Sequence, residues 1–147
     1  RPQQAPLVLA CDESVEPLYR EANSYSELVP TSITGNPDES TPLELHKSAL
    51  ELVESQQNQT CRQLSDQFEN AATHGRIADQ LEPVLVASSD GRVDTLFVER
   101  DRRYDKAEER RAVNRSALQT FTHDGRVCFL PEDDMPRGAH LAAILRY

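Results

Sequence analysis

The first forty residues alternate between short apolar stretches and turn-forming residues. Residues 7–11 form a continuous apolar run, which is typical of a strand covered on both faces of a sheet. Residues 25–29 predict a brief edge strand, and the glycine and prolines of residues 30–40 indicate a turn. Between the two strands, residues 13–22 predict a short helix with a proline in its first turn. Its apolar side consists of Val15, Leu18 and Ala22.

A long helical pattern begins at Thr41. Thr41 caps the helix, the proline after it suits the first helical position, and Glu44 completes a capping box. Apolar residues then recur at helical spacing as far as Ala71, and Gly75 ends the run as a left-handed residue. The polar residues 55–59 interrupt the pattern, so this stretch is either exposed helix or a kink.

The second half of the chain holds two motifs, each consisting of a helix, Asp-Gly-Arg-Val and a strand. In the first motif, Asp79 with Glu82 predicts a cap for a helix that runs to about Ser88. In the second motif, the helix covers residues 108–122. The glycine of each motif is expected to supply the left-handed residue that ends the helix. The predicted strands of this half cover residues 93–99, 126–130 and 141–147.

The alternation of strands and helices predicts an α/β fold, a three-layer α/β/α sandwich. A helix that connects neighbouring strands makes them parallel. We therefore expect a mixed, mostly parallel sheet of four to five strands, with residues 7–11, 93–98 and 127–130 at its centre. A length of 147 residues predicts a single domain. Because the sequence begins with Arg1, we expect residues 1–147 to be one domain of a longer protein.

Charge is distributed unevenly along the chain. The net charge of -9 argues against a broad nucleic-acid-binding surface. Residues 99–115, however, hold seven basic and five acidic residues, a local charge of +2 against -11 for the remainder. No apolar run approaches the ~18–20 residues of a membrane span.

This loop and the start of the following helix carry the candidate site. The segment follows a strand and includes one aromatic residue, Tyr104, so it is suited to docking on phosphates. The alternative is a surface loop neutralised by its own acids. The candidate contact residues are Arg100, Arg102, Arg103, Lys106, Arg110, Arg111 and Arg115.

The remaining reactive side chains indicate no self-contained active site. No phosphate-binding glycine motif follows a strand, and no spacing is typical of a metal site, so we expect no cofactor, metal or catalytic residue. The scattered Cys11, Cys61 and Cys128 predict reduced, buried thiols in the cytosol, and Cys11 or Cys128 as a nucleophile is the less favoured reading. His74 and His123 precede glycines at predicted helix ends, where they are expected to interact favourably with the helix dipole. The acidic cluster of residues 132–134 is interpreted as a solvated turn.

Several segments, in order, resemble a bacterial domain family related to the archaeal and eukaryotic class I release factors. They are residues 7–10, 16–23, 35–37, 75–76, 91–98, the helix around Asn114, and residues 125–127, 135–136 and 142–147. The resemblance implies a C-terminal domain similar to the L7Ae-like third domain of release factors and of Pelota, which is an α/β/α sandwich. It also implies the ribosome and a translational GTPase as partners. Release factors of this kind act through a Gly-Gly-Gln loop in another domain, and this chain contains none. Where relatives have two small residues after the helical asparagine, this chain has Arg115 and Ser116.

Three functions follow as hypotheses. The leading one is a non-catalytic, cytoplasmic domain that binds the ribosome or a translation factor. The enzyme alternative is a small-molecule hydrolase or nucleotide-binding protein, whose pocket would gather a histidine with Cys11, Glu99 or Cys128. The third is a structural or oligomerising domain in which the long helix that begins at Thr41 packs against a partner.

Overall fold

The computed structural model describes residues 5–147. The chain divides into two compact units, residues 1–57 and 58–147, which are described separately. The expectation of a single domain stays a prediction. No helix within the described range is long and apolar enough to cross a bilayer. The elements are β1 (Ala10–Cys11), α1 (Glu16–Ala22), β2 (Ile33–Thr34), α2 (Pro42–Asp66), α3 (Phe68–Thr73), β3 (Ile77–Ala78), α4 (Leu81–Ser89), β4 (Val93–Glu99), α5 (Ala107–Thr122), β5 (Arg126–Leu130) and β6 (Leu141–Leu145).

The first unit holds a two-stranded parallel sheet, in which β1 pairs with β2. The prediction of a central strand over residues 7–11 is wrong, because regular pairing covers two residues and belongs to this small sheet. The edge strand predicted over residues 25–29 is reduced to a single bridge between Leu7 and Leu28. An apolar run indicates burial, but it does not indicate which strand will pair with it.

The capping box at the start of α2 is confirmed. The backbone N–H and the hydroxyl of Thr41 each donate to the Glu44 carboxylate at 2.8 Å, and the Glu44 N–H donates to the Thr41 hydroxyl at 3.3 Å. Residues 55–59 continue the helix, and the interruption comes later, at Gln67. Gly75 follows α3 with φ of +67°, as a left-handed helix stop.

The second unit is built on a mixed four-stranded sheet in the order β3-β6-β4-β5. Strand β4 is central, as predicted, whereas β5 lies at the edge and corrects the central position expected for residues 127–130. Among the described strands of this sheet, β4 and β5 are parallel, and β6 runs antiparallel to both β3 and β4. The mixed sheet is confirmed, but its mostly parallel character is not, because the last strand enters between β3 and β4.

Helices cover both faces of this sheet, which confirms the three-layer α/β/α sandwich. On one face, Val84 of α4 and Val113 of α5 pack against Leu96 of β4 and the alternate side chains of β6. On the other, Phe68 of α3 packs with the end of α2 against β4 and β5. The Phe68 and Phe97 rings meet edge to face with centroids 6.2 Å apart.

The two Asp-Gly-Arg-Val segments differ in detail. Gly91 has φ of +68° and ends α4 as predicted. After α5, however, the left-handed residue is Asp124, with φ of +58°, and not Gly125. Gly125 is required for space instead, since a Cβ there would lie 2.8 Å from the Val93 carbonyl oxygen. The predicted cap of α4 by Asp79 and Glu82 is also wrong, because Gln80 occupies the cap position without a side-chain bond.

Candidate functional site

The candidate site begins at the carboxyl end of β4. Two of the seven predicted contact residues are held there by the fold itself. Arg100 donates to the Asn58 side-chain oxygen at 2.7 Å and to the Phe129 carbonyl at 3.0 Å. Arg102 lies 3.3 Å from the Glu99 carboxylate and stacks over the Tyr104 ring at 5.7 Å. These contacts fix the course of the loop, so both arginines are positioning residues.

Tyr104 anchors the middle of the same loop. Its ring packs against the core cluster beneath α4 and α5. Burial raises the pKa of the Tyr104 hydroxyl, which has no hydrogen-bond partner among residues 5–147. The aromatic residue predicted to accompany the arginines therefore supports the loop from inside.

The other five candidate residues differ from Arg100 and Arg102 in their contacts. Within the described part of the chain, no ion pair or side-chain hydrogen bond involves them, and all five are exposed. Four of them form two pairs, each one helical turn apart, on α5 and its cap residue. We call this set the basic surface: Arg103, Lys106, Arg110, Arg111 and Arg115.

A histidine and a carboxylate meet beside this loop. The enzyme alternative named Glu99 with a histidine, but the sequence did not identify which histidine. His140 Nδ1 lies 2.5 Å from the Glu99 Oε2 atom, where β6 begins and β4 ends. The two residues are 41 positions apart. A bond across that separation has no local pattern that would predict it.

Cys11 and Cys128 were the nucleophiles considered from the sequence. Cys128 is fully buried in β5 and forms a disulfide with Cys61 of α2, the Cα atoms being 5.5 Å apart. The prediction of three reduced thiols is therefore wrong for these two, because 67 positions separate them and sequence spacing does not bring them together. A disulfide sulfur is also not a thiolate, which removes Cys128 as a nucleophile. Cys11 is a free, half-buried thiol in the first unit.

The helix-end histidines have structural partners. His74 Nδ1 lies 2.8 Å from the Asn70 carbonyl, and His123 Nδ1 lies 2.8 Å from the Gln119 carbonyl. A carbonyl can only accept, so each ring nitrogen donates to the last turn of its own helix. This placement agrees with the predicted interaction at helix ends.

The remaining candidates for chemistry lie elsewhere. A pocket of about 390 Å³ is lined by Arg76, Asp94 and Arg146, among others, at the opposite end of β4 from Glu99. The acidic cluster Glu132–Asp134 is a short 3-10 turn whose Asp134 pairs with Arg62 at 2.7 Å. No group of three or more His, Cys, Asp or Glu side chains in residues 5–147 is arranged to hold a metal ion.

Comparison with known proteins identifies the family. The model of "Bacterial archaeo-eukaryotic release factor family 3" matches residues 1–92, more than half of the chain. The chain belongs to this family. The resemblance to release factors drawn from the sequence is thereby confirmed, and a bacterial release-factor family makes this a translation-related domain. No protein of curated function matches the sequence.

Solved structures share the fold of this family member. Ribosome-bound archaeal Pelota, described together with ABCE1, matches with a TM-score of 0.65 and 20% identity over 95% of this chain and 43% of its own. Dom34 of S. cerevisiae matches with a TM-score of 0.54 and 15% identity, over 74% of this chain and 31% of its own. Pelota of Archaeoglobus fulgidus matches with a TM-score of 0.52 and 16% identity, over 97% of this chain and 49% of its own. The chain thus spans less than half the length of each.

Proposed function

We propose that this chain is a non-catalytic domain that binds the ribosome or a translation factor in the cytoplasm. Membership of a release-factor family supports a role in translation. Among proteins of the same fold, archaeal Pelota is ribosome-bound together with ABCE1, and Dom34 interacts with Hbs1. We therefore propose the ribosome, and by the same resemblance a translational GTPase, as partners of this chain.

The basic surface is the observation that carries the proposal. Its five side chains are exposed and lie outside the ion pairs of the described residues, so their charges remain available for phosphates. The net charge of the whole chain is -9. Because the rest of the chain repels a polyanion, rRNA is expected to approach at this surface alone.

The enzyme alternative has weaker support. The pair formed by His140 and Glu99 satisfies one part of it, since a histidine does meet Glu99. A hydrolase of the predicted kind also needs a nucleophile and a pocket at that place. Cys128 is joined to Cys61, and the pocket beside Arg76 lies at the other end of β4.

The oligomerisation alternative rests on two exposed leucines. Leu43 and Leu50 lie on one side of α2, two turns apart, among polar residues. Light scattering of the wild type and of Leu50→Ser tests it. A dimer that dissociates on this substitution favours self-association.

Cosedimentation with purified ribosomes over a range of salt concentrations tests the main proposal. Substitution of Arg111→Gln together with Arg115→Gln should weaken binding and reduce the slope of log K against log salt by about 2. The matched control is Arg76→Gln with Arg126→Gln, which removes the same charge from two other exposed sites. Equal loss in both variants, or no cosedimentation of the wild type, would overturn the proposal.

A further inference from the structure

The apolar side of helix α1, in the first unit, is exposed to solvent. Successive helical residues are about 100° apart, so Leu18, Tyr19 and Ala22 of α1 and its cap residue, Val15, fall within an arc of about 100°. Such a stripe normally faces the core. Here Leu18 is 66% exposed, Val15 46% and Tyr19 39%. We call this arc the α1 face: Val15, Leu18, Tyr19 and Ala22, all of them exposed.

The opposite side of α1 is polar and fixed to its unit. Arg20 donates to the Glu16 carboxylate at 2.8 Å, to the Pro30 carbonyl at 2.7 Å and to the Ser32 hydroxyl at 2.6 Å. The Ser32 hydroxyl in turn donates to Glu16 at 2.7 Å. The Glu16 and Arg20 side chains are 26% and 29% exposed, less than the apolar ones. These hydrogen bonds join the polar side of the helix to residues 30–32 of its unit.

Acidic residues surround the α1 face. Asp12, Glu13 and Glu21 are exposed and flank it in sequence. Arg20 is the one basic residue between positions 5 and 46, and its charge is already bound by Glu16. The face is therefore apolar with an anionic rim.

This combination selects one class of occupant. The anionic rim repels nucleic acid and anionic lipid surfaces. It also repels a second copy of the chain, whose face has the same rim. We propose that the α1 face is a docking surface for a protein segment that presents apolar side chains flanked by lysine or arginine. The proposal is independent of the basic surface, which belongs to the second unit.

Calorimetric titration with a model peptide tests this surface on the whole chain. The probe is an 18-residue amphipathic helical peptide of leucine and lysine. Two comparison peptides have glutamate in place of lysine, or serine in place of leucine. We expect the leucine–lysine peptide to bind, and each replacement to reduce the affinity, because both apolar contact and opposite charge are needed.

Variants locate the binding site. Leu18→Ser should weaken binding of the leucine–lysine peptide by about tenfold or more, and Val15→Ser should have the same direction of effect. The matched control is Leu118→Ser, since Leu118 is 64% exposed on α5 and Leu18 is 66% exposed. The control should bind like the wild type.

Several results would overturn the proposal. They are no binding by the wild type, equal loss with Leu118→Ser, and equal binding of the leucine–glutamate peptide. A wild-type dimer that dissociates on Leu18→Ser would make a second copy the occupant. A melting temperature lowered by Leu18→Ser but not by Leu118→Ser would show that the face is already covered within the chain.

Discussion

His140 contacts Glu99 across the ends of two neighbouring strands, with 2.5 Å between Nδ1 and Oε2. The same carboxylate oxygen holds Arg102 at 3.3 Å. The Glu99 side chain, which is 11% exposed, therefore contacts both His140 at the start of β6 and Arg102 at the start of the arginine-rich loop. The strand end at which a catalytic site was considered instead supports the basic surface beside it.

Removal of Glu99 should be more costly than removal of an exposed acid. Glu99→Ala removes the carboxylate that pairs with Arg102. The Nε atom of Arg102 already has no hydrogen-bond partner among the described residues. We expect a loss of about 2 kcal/mol in the free energy of unfolding, measured by urea denaturation. Glu108→Ala, at an exposed position near the start of α5, should change it by less than about 0.5 kcal/mol. Similar losses in the two variants would contradict this role.

The disulfide between Cys61 and Cys128 should contribute strongly to stability. It closes a loop of 67 positions, for which the chain-entropy relation gives about 4 kcal/mol. Dithiothreitol should therefore lower the melting temperature of the wild type and of Cys11→Ser alike. The double variant Cys61→Ser, Cys128→Ser should start at the lower value and not respond. A wild type insensitive to the reductant would show that the bond does not stabilise the fold.

Gly125 and Gly75 should respond differently to alanine. A Cβ at Gly125 would lie 2.8 Å from the Val93 oxygen and 2.9 Å from the Thr120 oxygen, so the backbone must move. We expect Gly125→Ala to cost about 3 kcal/mol in unfolding free energy. A Cβ at Gly75 would meet nothing within 4 Å, and only its φ of +67° opposes the substitution, at about 1 kcal/mol. Chemical denaturation of both variants measures the difference, and the reverse order would be incompatible with the close approach described.

The capping box should make the start of α2 sensitive to acid. The Thr41 backbone N–H, followed by its hydroxyl, lowers the pKa of Glu44 below its ordinary value of 4.5. A depressed pKa in the folded state contributes stability above the unfolded pKa, and this is lost as pH falls through the folded pKa. The difference in helical circular dichroism between the wild type and Glu44→Ala should therefore shrink as the pH falls from 7 to below about 4. A difference that stays constant over this range would contradict the assignment.

The sequence predicted the second half of the fold well because its signals are local. The strands at residues 93–99 and 126–130 were predicted with their observed bounds, and the helix before the second begins one residue earlier than expected. Strong apolar runs after Asp-Gly-Arg-Val explain this success. Strand β3 was missed because it has two residues, and β5 was misplaced because the position of β6 depends on the whole sheet.

The candidate site divides in the same way. Sequence alone identified the basic residues, but not which of them the fold engages. Arg100 binds Asn58, which is 42 positions away, and no periodicity indicates such a partner. The exposure of the apolar side of α1 could not be predicted either. The pattern of Val15, Leu18 and Ala22 correctly predicted that the helix has one apolar side, but not whether that side is buried.

The position of β6 in the sheet constrains the order in which the molecule can assemble during synthesis. β6 comes last along the chain, yet it pairs with both β3 and β4. Until residue 145 has left the exit tunnel, β3 has no neighbour and β4 exposes one edge. The parallel β4–β5 pair is therefore expected to form first, and the sheet is completed only when β6 becomes available.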